Sequence, residues 1–140
     1  MGQVPFALDR AIPNDVHCIE GIVAEVAAGC ADFDYPRRVV KMSLPIALTE
    51  AIANAILRGN GECSDKVVRV RARVDDVELV VEVVDEGAGF DLAACTLDPT
   101  TPEHLEREDG RGLFLIRTLV DHMEQYMDGG NVVRFTVRRT

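Results

Sequence analysis

The chain contains no tryptophan, and its 140 residues include only five phenylalanines and two tyrosines. Its core must therefore be aliphatic, built from Val, Ile, Leu and Ala. Positive charge is also scarce: 15 Lys and Arg stand against 24 Asp and Glu, a formal net charge of −9. That balance argues against general nucleic-acid binding, which depends on neutralising phosphates; the basic residues form only short pairs such as Arg37-Arg38. The four cysteines, Cys18, Cys30, Cys63 and Cys95, form no Cys-x-x-Cys and no Cys/His cluster. They are read as reduced, packed thiols, because a domain of this size does not need a disulfide framework. His17, His104 and His122 are widely spaced and are read as structural or surface residues. No apolar run approaches the roughly 20 residues that span a membrane. No basic stretch leads into a long apolar one at the start, so no signal peptide is visible and the cytoplasm is the expected location. There is no Gly-x-x-x-x-Gly-Lys-[Ser/Thr], which excludes a P-loop. The Gly-x-Gly pairs lack the strand–turn–helix setting of a dinucleotide fingerprint.

The remaining composition, 47% hydrophobic and 28% charged, is that of one globular domain over residues 1–140. Val4 to Ile12 alternates as a first strand. Pro13 breaks it, and Asn14 or Asp15 can cap a helix over Val16 to Ala28. Residues 37–58 form a second helical region whose apolar residues nearly encircle it, which implies deep burial. Pro45 inside it predicts a kink near Leu44, or a helix restarting there with Ser43 near its cap. Residues 67–84 read as a hairpin turning at Asp75-Asp76. That turn would place Val74 opposite Val77, Ala72 opposite Leu79 and Val70 opposite Val81, with Arg73–Glu78 and Arg69–Glu82 on the other face. Asp85 continues the aliphatic series Val77, Leu79, Val81, Val83, so it should point toward the core at the strand's end, where a carboxylate needs a partner. Residues 91–109 lack a regular pattern and read as a lid or binding loop. Leu113 to Tyr126 has helical phase, and Val132 to Arg138 reads as a last strand. This order implies an α/β (α+β) two-layer sandwich: a mixed, mostly antiparallel sheet with three helices on one face.

Three short segments carry chemistry. Glu50 and Asn54 are one helical turn apart and share a face. The carboxylate can serve as a general base, and the amide oxygen is a suitable hard ligand for Mg²⁺. On their own they read more simply as polar residues at the solvated edge of a core helix. Asp85-Glu86-Gly87-Ala88-Gly89-Phe90 follows a strand: a buried acceptor can take a hydrogen bond from an adenine amino group, and glycines let backbone approach a ligand. Gly110-Arg111-Gly112-Leu113 opens a helix, whose free N–H groups suit phosphate, and Arg111 can stabilise developing charge.

In this order, on these expected elements, the three segments resemble the nucleotide-binding boxes of the GHKL (Bergerat-fold) ATPase superfamily. More narrowly, the chain resembles the bacterial anti-sigma-factor serine/threonine kinases over nearly its whole length. Thr49-Glu50-Ala51, Asn54 and Gly59-Asn60 match the first box, Asp85 to Phe90 the second, and Gly110 to Ile116 the third. The resemblance implies Glu50 as catalytic base and Arg111 as a second catalytic group. It implies Asn54 as Mg²⁺ ligand, Asp85 as adenine acceptor, and Gly87, Gly89 and Phe90 shaping the pocket. Gly110, Arg111, Gly112 and Leu113 would hold the phosphates, residues 91–109 would be the ATP lid, and Thr136 would add an adenine-side contact. ATP and Mg²⁺ are the implied cofactors. The implied partners are an anti-sigma-factor antagonist as phosphorylation substrate, a sigma factor and a second copy of the chain, with no nucleic acid and no membrane. Arg58 departs from the family, which often carries a histidine there, and Pro45 interrupts the first-box helix. Two other readings compete: a non-catalytic ATP-gated binding module, and the catalytic half of a histidine kinase, for which no preceding helical hairpin with a phospho-acceptor histidine is visible.

Overall fold

The computed structural model describes residues 4–61, 65–87 and 108–140, with residues 108–111 described as backbone only. Strand β1 (Phe6–Pro13) runs through the expected break. Proline is tolerated at the end of an edge strand, where its missing N–H interrupts no ladder, and Pro13 pairs with Val67 there. A 3₁₀ turn (Val16–Cys18) leads into α1 (Ile19–Ala31), and the Asp15 carboxylate accepts from His17 N–H at 2.9 Å as the expected cap.

The central helix corrects one expectation. Pro45 causes neither a kink nor a restart. Helix α2 (Leu44–Asn54) continues without interruption from a π turn (Val39–Ser43) and into a second one (Ala55–Gly59). Leu44 N–H bonds to Val39 O, so the hydrogen-bond register changes immediately before the ring, where the absent N–H does least harm. Ser43 has helical dihedrals and makes no side-chain cap bond. This continuity makes Val39–Gly59 a 21-residue helix with mean hydropathy 1.4, long and apolar enough by composition to cross a bilayer. No run of that kind is visible when the proline is taken as a break. Within the fold its apolar surface is used by the core: Leu44, Leu48, Ile52 and Ile56 are buried.

The sheet contains five strands in the order β1-β2-β3-β5-β4. Strands β2 (Val67–Val74), β3 (Glu78–Asp85), β4 (His122–Met127) and β5 (Asn131–Arg138) pair antiparallel throughout, so the sheet is not mixed among the described residues. The hairpin register lies two residues from the expected one: Val74 faces Leu79, Ala72 faces Val81 and Arg71 faces Glu82. Asp75 is responsible. Its Oδ1 accepts from Val77 N–H at 2.8 Å and Glu78 N–H at 2.9 Å, which widens the turn. A slip of two preserves the parity of the faces, so Asp85 still points inward and is 3% exposed.

Helix α3 (Glu108–Leu119) is shorter than the expected Leu113–Tyr126. The chain turns at Val120-Asp121 and enters β4, a strand absent from the sequence reading. Asp121 N–H donates to Thr136 O, and β4 then zips along β5. Helices α1, α2 and α3 cover the inner face of the sheet, which carries the core residues Val70, Leu79, Val81 and Phe135. The outer face is open and charged, with Arg69 paired to Asp9 and Arg134 near Glu124.

Candidate functional site

The site lies where the inner face of the sheet, the end of α2 and the start of α3 converge. Glu50 and Asn54 project from α2 into a cleft of about 290 Å³, also lined by Ala53, Leu57, Arg58, Gly112 and Leu115. Gly112 on α3 presses directly on this pair. A methyl group at Gly112 would stand 2.8 Å from Glu50 Oε2 and 3.1 Å from Asn54 Nδ2. Asn54 Nδ2 is buried and has no hydrogen-bond partner. A buried amide atom without a partner is costly, and it is the feature expected of a side chain that completes its bonding with a ligand. The amide can turn its oxygen outward instead, so Asn54 fits a Mg²⁺ ligand by its chemistry. Among the described residues, no cluster of three His, Cys, Asp or Glu forms a metal site of its own.

Asp85 lies beyond this cleft, against Gly59 at the end of the same helical stretch. Its Oδ1 accepts from Gly87 N–H at 2.7 Å and its Oδ2 from Asn131 Nδ2 at 3.1 Å. Burial pushes its carboxyl above the usual carboxylate range, and the two donors and nearby Lys66 act against that rise. The glycines around it leave no room for side chains. A Cβ on Gly59 would fall on the Asp85 carboxyl group, and one on Gly87 on the carbonyl oxygen of Gly59. Gly130 has φ of +149° and abuts the Asp85 carbonyl, a conformation and a contact that only glycine tolerates. Asn60 ties this corner together: Nδ2 donates to Asn14 Oδ1 and Val67 O, both at 3.0 Å, while Oδ1 accepts from Glu86 N–H at 2.7 Å. A buried acceptor beside a bare glycine cradle matches an adenine edge; an unpartnered amide and a carboxylate further along α2 match the phosphate end.

The structure thus brings Glu50, Asn54, Asp85, Gly87 and Gly112 to one corner of the fold. Leu113 does not belong in the cleft, because its side chain is core and 2% exposed. Thr136 is also misplaced by the sequence reading. It pairs with Val80 and His122 on the outer face, whereas Asp85 faces inward opposite Asn131. Gly110 and Arg111 fall inside the first turn of α3, which begins at Glu108, and nothing further is described of their side chains. Gly89, Phe90 and the expected lid as far as residue 107 lie outside the described residues. The sequence reading overlooked Arg58 as a cleft residue, although it lies one turn beyond Asn54. It also overlooked Asn131 and Gln125, whose roles depend on strand pairing. A larger cleft of about 320 Å³ opens on the outer face among Arg71, Arg73, Glu78, Glu82 and Arg134. It lies across the sheet from Glu50, and its charges largely neutralise one another.

The chain is similar to known proteins. The profile of the family described as histidine kinase-like ATPase domain matches residues 12–137. A Bacillus subtilis protein named serine-protein kinase RsbW is 36% identical over 98 residues, covering 66% of this chain and 61% of the relative. Proteins named anti-sigma F factor are 27% identical over 95 residues in Clostridium beijerinckii and 30% over 96 residues in Clostridium acetobutylicum. The matches span 66% of the length of each of these two relatives. The matched span runs from the end of β1 through β5, which is most of the chain, so the chain belongs to the histidine kinase-like ATPase domain family.

Proposed function

We propose that this chain is an ATP-dependent protein serine/threonine kinase that acts as an anti-sigma factor. It phosphorylates a small anti-sigma-factor antagonist, sequesters a sigma factor, and works as a homodimer in the cytoplasm. The observation that carries the reading is the carboxylate of Glu50, held one helical turn from the unpartnered amide of Asn54 and in the same cleft as Gly112. The names of the relatives, serine-protein kinase and anti-sigma factor, point the same way.

In this reading Asp85 accepts from the adenine amino group, and the base lies against the backbone corner that Gly59 and Gly87 form around the carboxylate. The phosphates extend along α2 toward Asn54 and Gly112. Asn54 would hold Mg²⁺, which neutralises phosphate charge when bound. Glu50 accepts the proton of the incoming serine or threonine hydroxyl as its oxygen bonds to the γ-phosphorus. The bond from that phosphorus to the β–γ bridging oxygen breaks, and its electron pair leaves with ADP. Arg58, on the same helix face, and Arg111 add positive charge to an otherwise acidic protein.

The test uses ATP labelled on its γ-phosphate, added with purified protein to extract of the source cell. Wild type is expected to label one small protein. Glu50→Ala should retain ATP binding by calorimetry while transfer falls about 10²- to 10⁴-fold, the usual contribution of a positioned base. Undiminished transfer would remove Glu50 from the chemistry. No transfer by wild type, with ATP binding intact, would leave a nucleotide-gated binding module.

A further inference from the structure

The polar chain behind Asp85 has a direction. Gln125 Nε2 donates to Asn131 Oδ1 at 2.5 Å, and Asn131 Nδ2 donates to Asp85 Oδ2 at 3.1 Å. Asn131 is 1% exposed and stands directly opposite Asp85 in the β3–β5 ladder. Gln125 comes from the neighbouring edge strand, beside Val133. A buried primary amide has one acceptor end and one donor end. With Gln125 occupying the acceptor end, the donor end of Asn131 must face the carboxylate. If Asn131 alone were reversed, its oxygen would oppose Asp85, a buried mismatch, and its NH₂ would oppose the NH₂ of half-buried Gln125.

We propose that Gln125 and Asn131 are positioning residues that hold Asp85 as an ionised hydrogen-bond acceptor, and so set the preference of this pocket for a 6-amino purine over a 6-oxo purine. The proposal rests on the assignment of Asp85 to the adenine ring. Among the described residues, the two groups that hydrogen-bond the carboxylate, Asn131 Nδ2 and Gly87 N–H, are both donors, an arrangement that favours the ionised form. Each carboxylate oxygen retains a free lone pair for a ligand. A 6-amino group donates to it; a 6-oxo group would oppose oxygen to oxygen, which such a site rejects strongly.

Burial acts in the other direction, favouring the protonated acid. The surrounding charges do little to prevent this. Lys66, ahead of β2, is the cation that acts on Asp85. The Glu86 carboxylate is turned away to accept from Val67 N–H at 2.8 Å. Gly59 at the helix end, Gly130 ahead of β5 and Asn131 on β5 pack on it and are uncharged, while Arg58 precedes Gly59 on the helix. The relay is a side-chain device among the described residues that favours the ionised acceptor.

The test is calorimetric binding of ATP and of inosine triphosphate to the full chain across the acid-to-neutral range. Wild type is compared with Gln125→Glu, Asn131→Leu and Asp85→Asn, with thermal melts as fold controls. Gln125→Glu is nearly isosteric and lies behind Asn131. It offers the amide a second acceptor, so Asn131 reverses and turns its oxygen on Asp85. Gln125→Glu and Asn131→Leu are expected to weaken ATP binding about tenfold, to erode the preference over inosine triphosphate, and to raise the pH at which ATP binding fails by about one unit. Titration of the phosphates is common to all variants. If both variants retain the wild-type pH midpoint and ligand ratio while Asp85→Asn loses ATP, the relay is overturned and the adenine assignment stands. Weaker binding with an unmoved midpoint is a merely structural effect and also overturns it. If Asp85→Asn binds ATP as wild type does, the adenine assignment itself falls. Should Asn131→Leu fail to fold, Gln125→Glu alone decides.

Discussion

At the scale of single residues, the site contains four close approaches made by glycine, at Gly59, Gly87, Gly112 and Gly130. Gly112 is the one where a methyl group can be accommodated, because the atom it meets is the flexible end of Glu50. In Gly112→Ala the helix should hold and even gain up to about 1 kcal/mol from improved propensity, while the carboxylate is displaced from the cleft. The expected signature is an unchanged or higher melting temperature with phosphate transfer reduced about tenfold or more; a stable, fully active variant would show that the contact is irrelevant. Asp85 has the opposite economy. Its carboxyl is raised above the ordinary range by burial, so the fold binds a proton more tightly than the unfolded chain does. Stability without nucleotide should therefore fall as pH rises from the ordinary carboxylate value toward the raised one. Asp85→Asn removes the titrating group and should lose that slope, readable as melting temperature against pH. A slope shared by both proteins would assign it to other groups.

At the scale of elements, the corrections share a cause. Hydrophobic phase identifies a helix or a strand but does not count the residues in a turn or the register of a hydrogen-bond ladder. The β2–β3 turn is set by Asp75, whose carboxylate is held below its usual range by the backbone N–H groups of Glu78 and Val77. Asp75→Ala removes both bonds and should destabilise the fold by about 1 kcal/mol at neutral pH. Because the folded value is lowered, this stabilisation is complete above the ordinary carboxylate value and disappears as pH falls through the lowered one. Chemical denaturation of the two proteins should therefore converge only in strong acid. Met123 shows why β4 was read as helix. It continues the apolar phase of Ile116 and Val120, yet it is buried from a strand opposite Phe135.

At the scale of the molecule, the candidate site draws on two layers: Asp85 belongs to the sheet, Glu50 and Asn54 to α2, and Gly112 to α3. A nucleotide that bridges them should stabilise the whole domain cooperatively. With ATP at about 100 times its dissociation constant, mass action contributes about 2.7 kcal/mol, a rise of about 10 °C in melting temperature for a domain of this length. Glu50→Ala should retain this rise and Asp85→Asn should lose most of it. An equal rise in both would place the base elsewhere. The open outer face of the sheet takes no part in this coupling, and its substitution should leave the ATP-induced shift intact.

The sequence by itself determined that Glu50 and Asn54 share a face and which way Asp85 faces. Both follow from local periodicity: Glu50 and Asn54 share a helix face because they are four apart, and Asp85 keeps the parity of Val81 and Val83 whatever the register of the hairpin. It also determined the two-layer class, through the alternation of strand and helix patterns, and the three boxes whose order resembles the GHKL ATPases. Only the tertiary structure decided what depends on contacts between distant segments. These are the fifth strand, the continuity of the central helix through Pro45, the exclusion of Thr136 and Leu113 from the cleft, and the pairing that sets Asn131 against Asp85. The physical reason is common to all of them. A hydrogen bond across strands is specified by register, register depends on turns and on partners far away in the chain, and no pattern within a single segment carries that information.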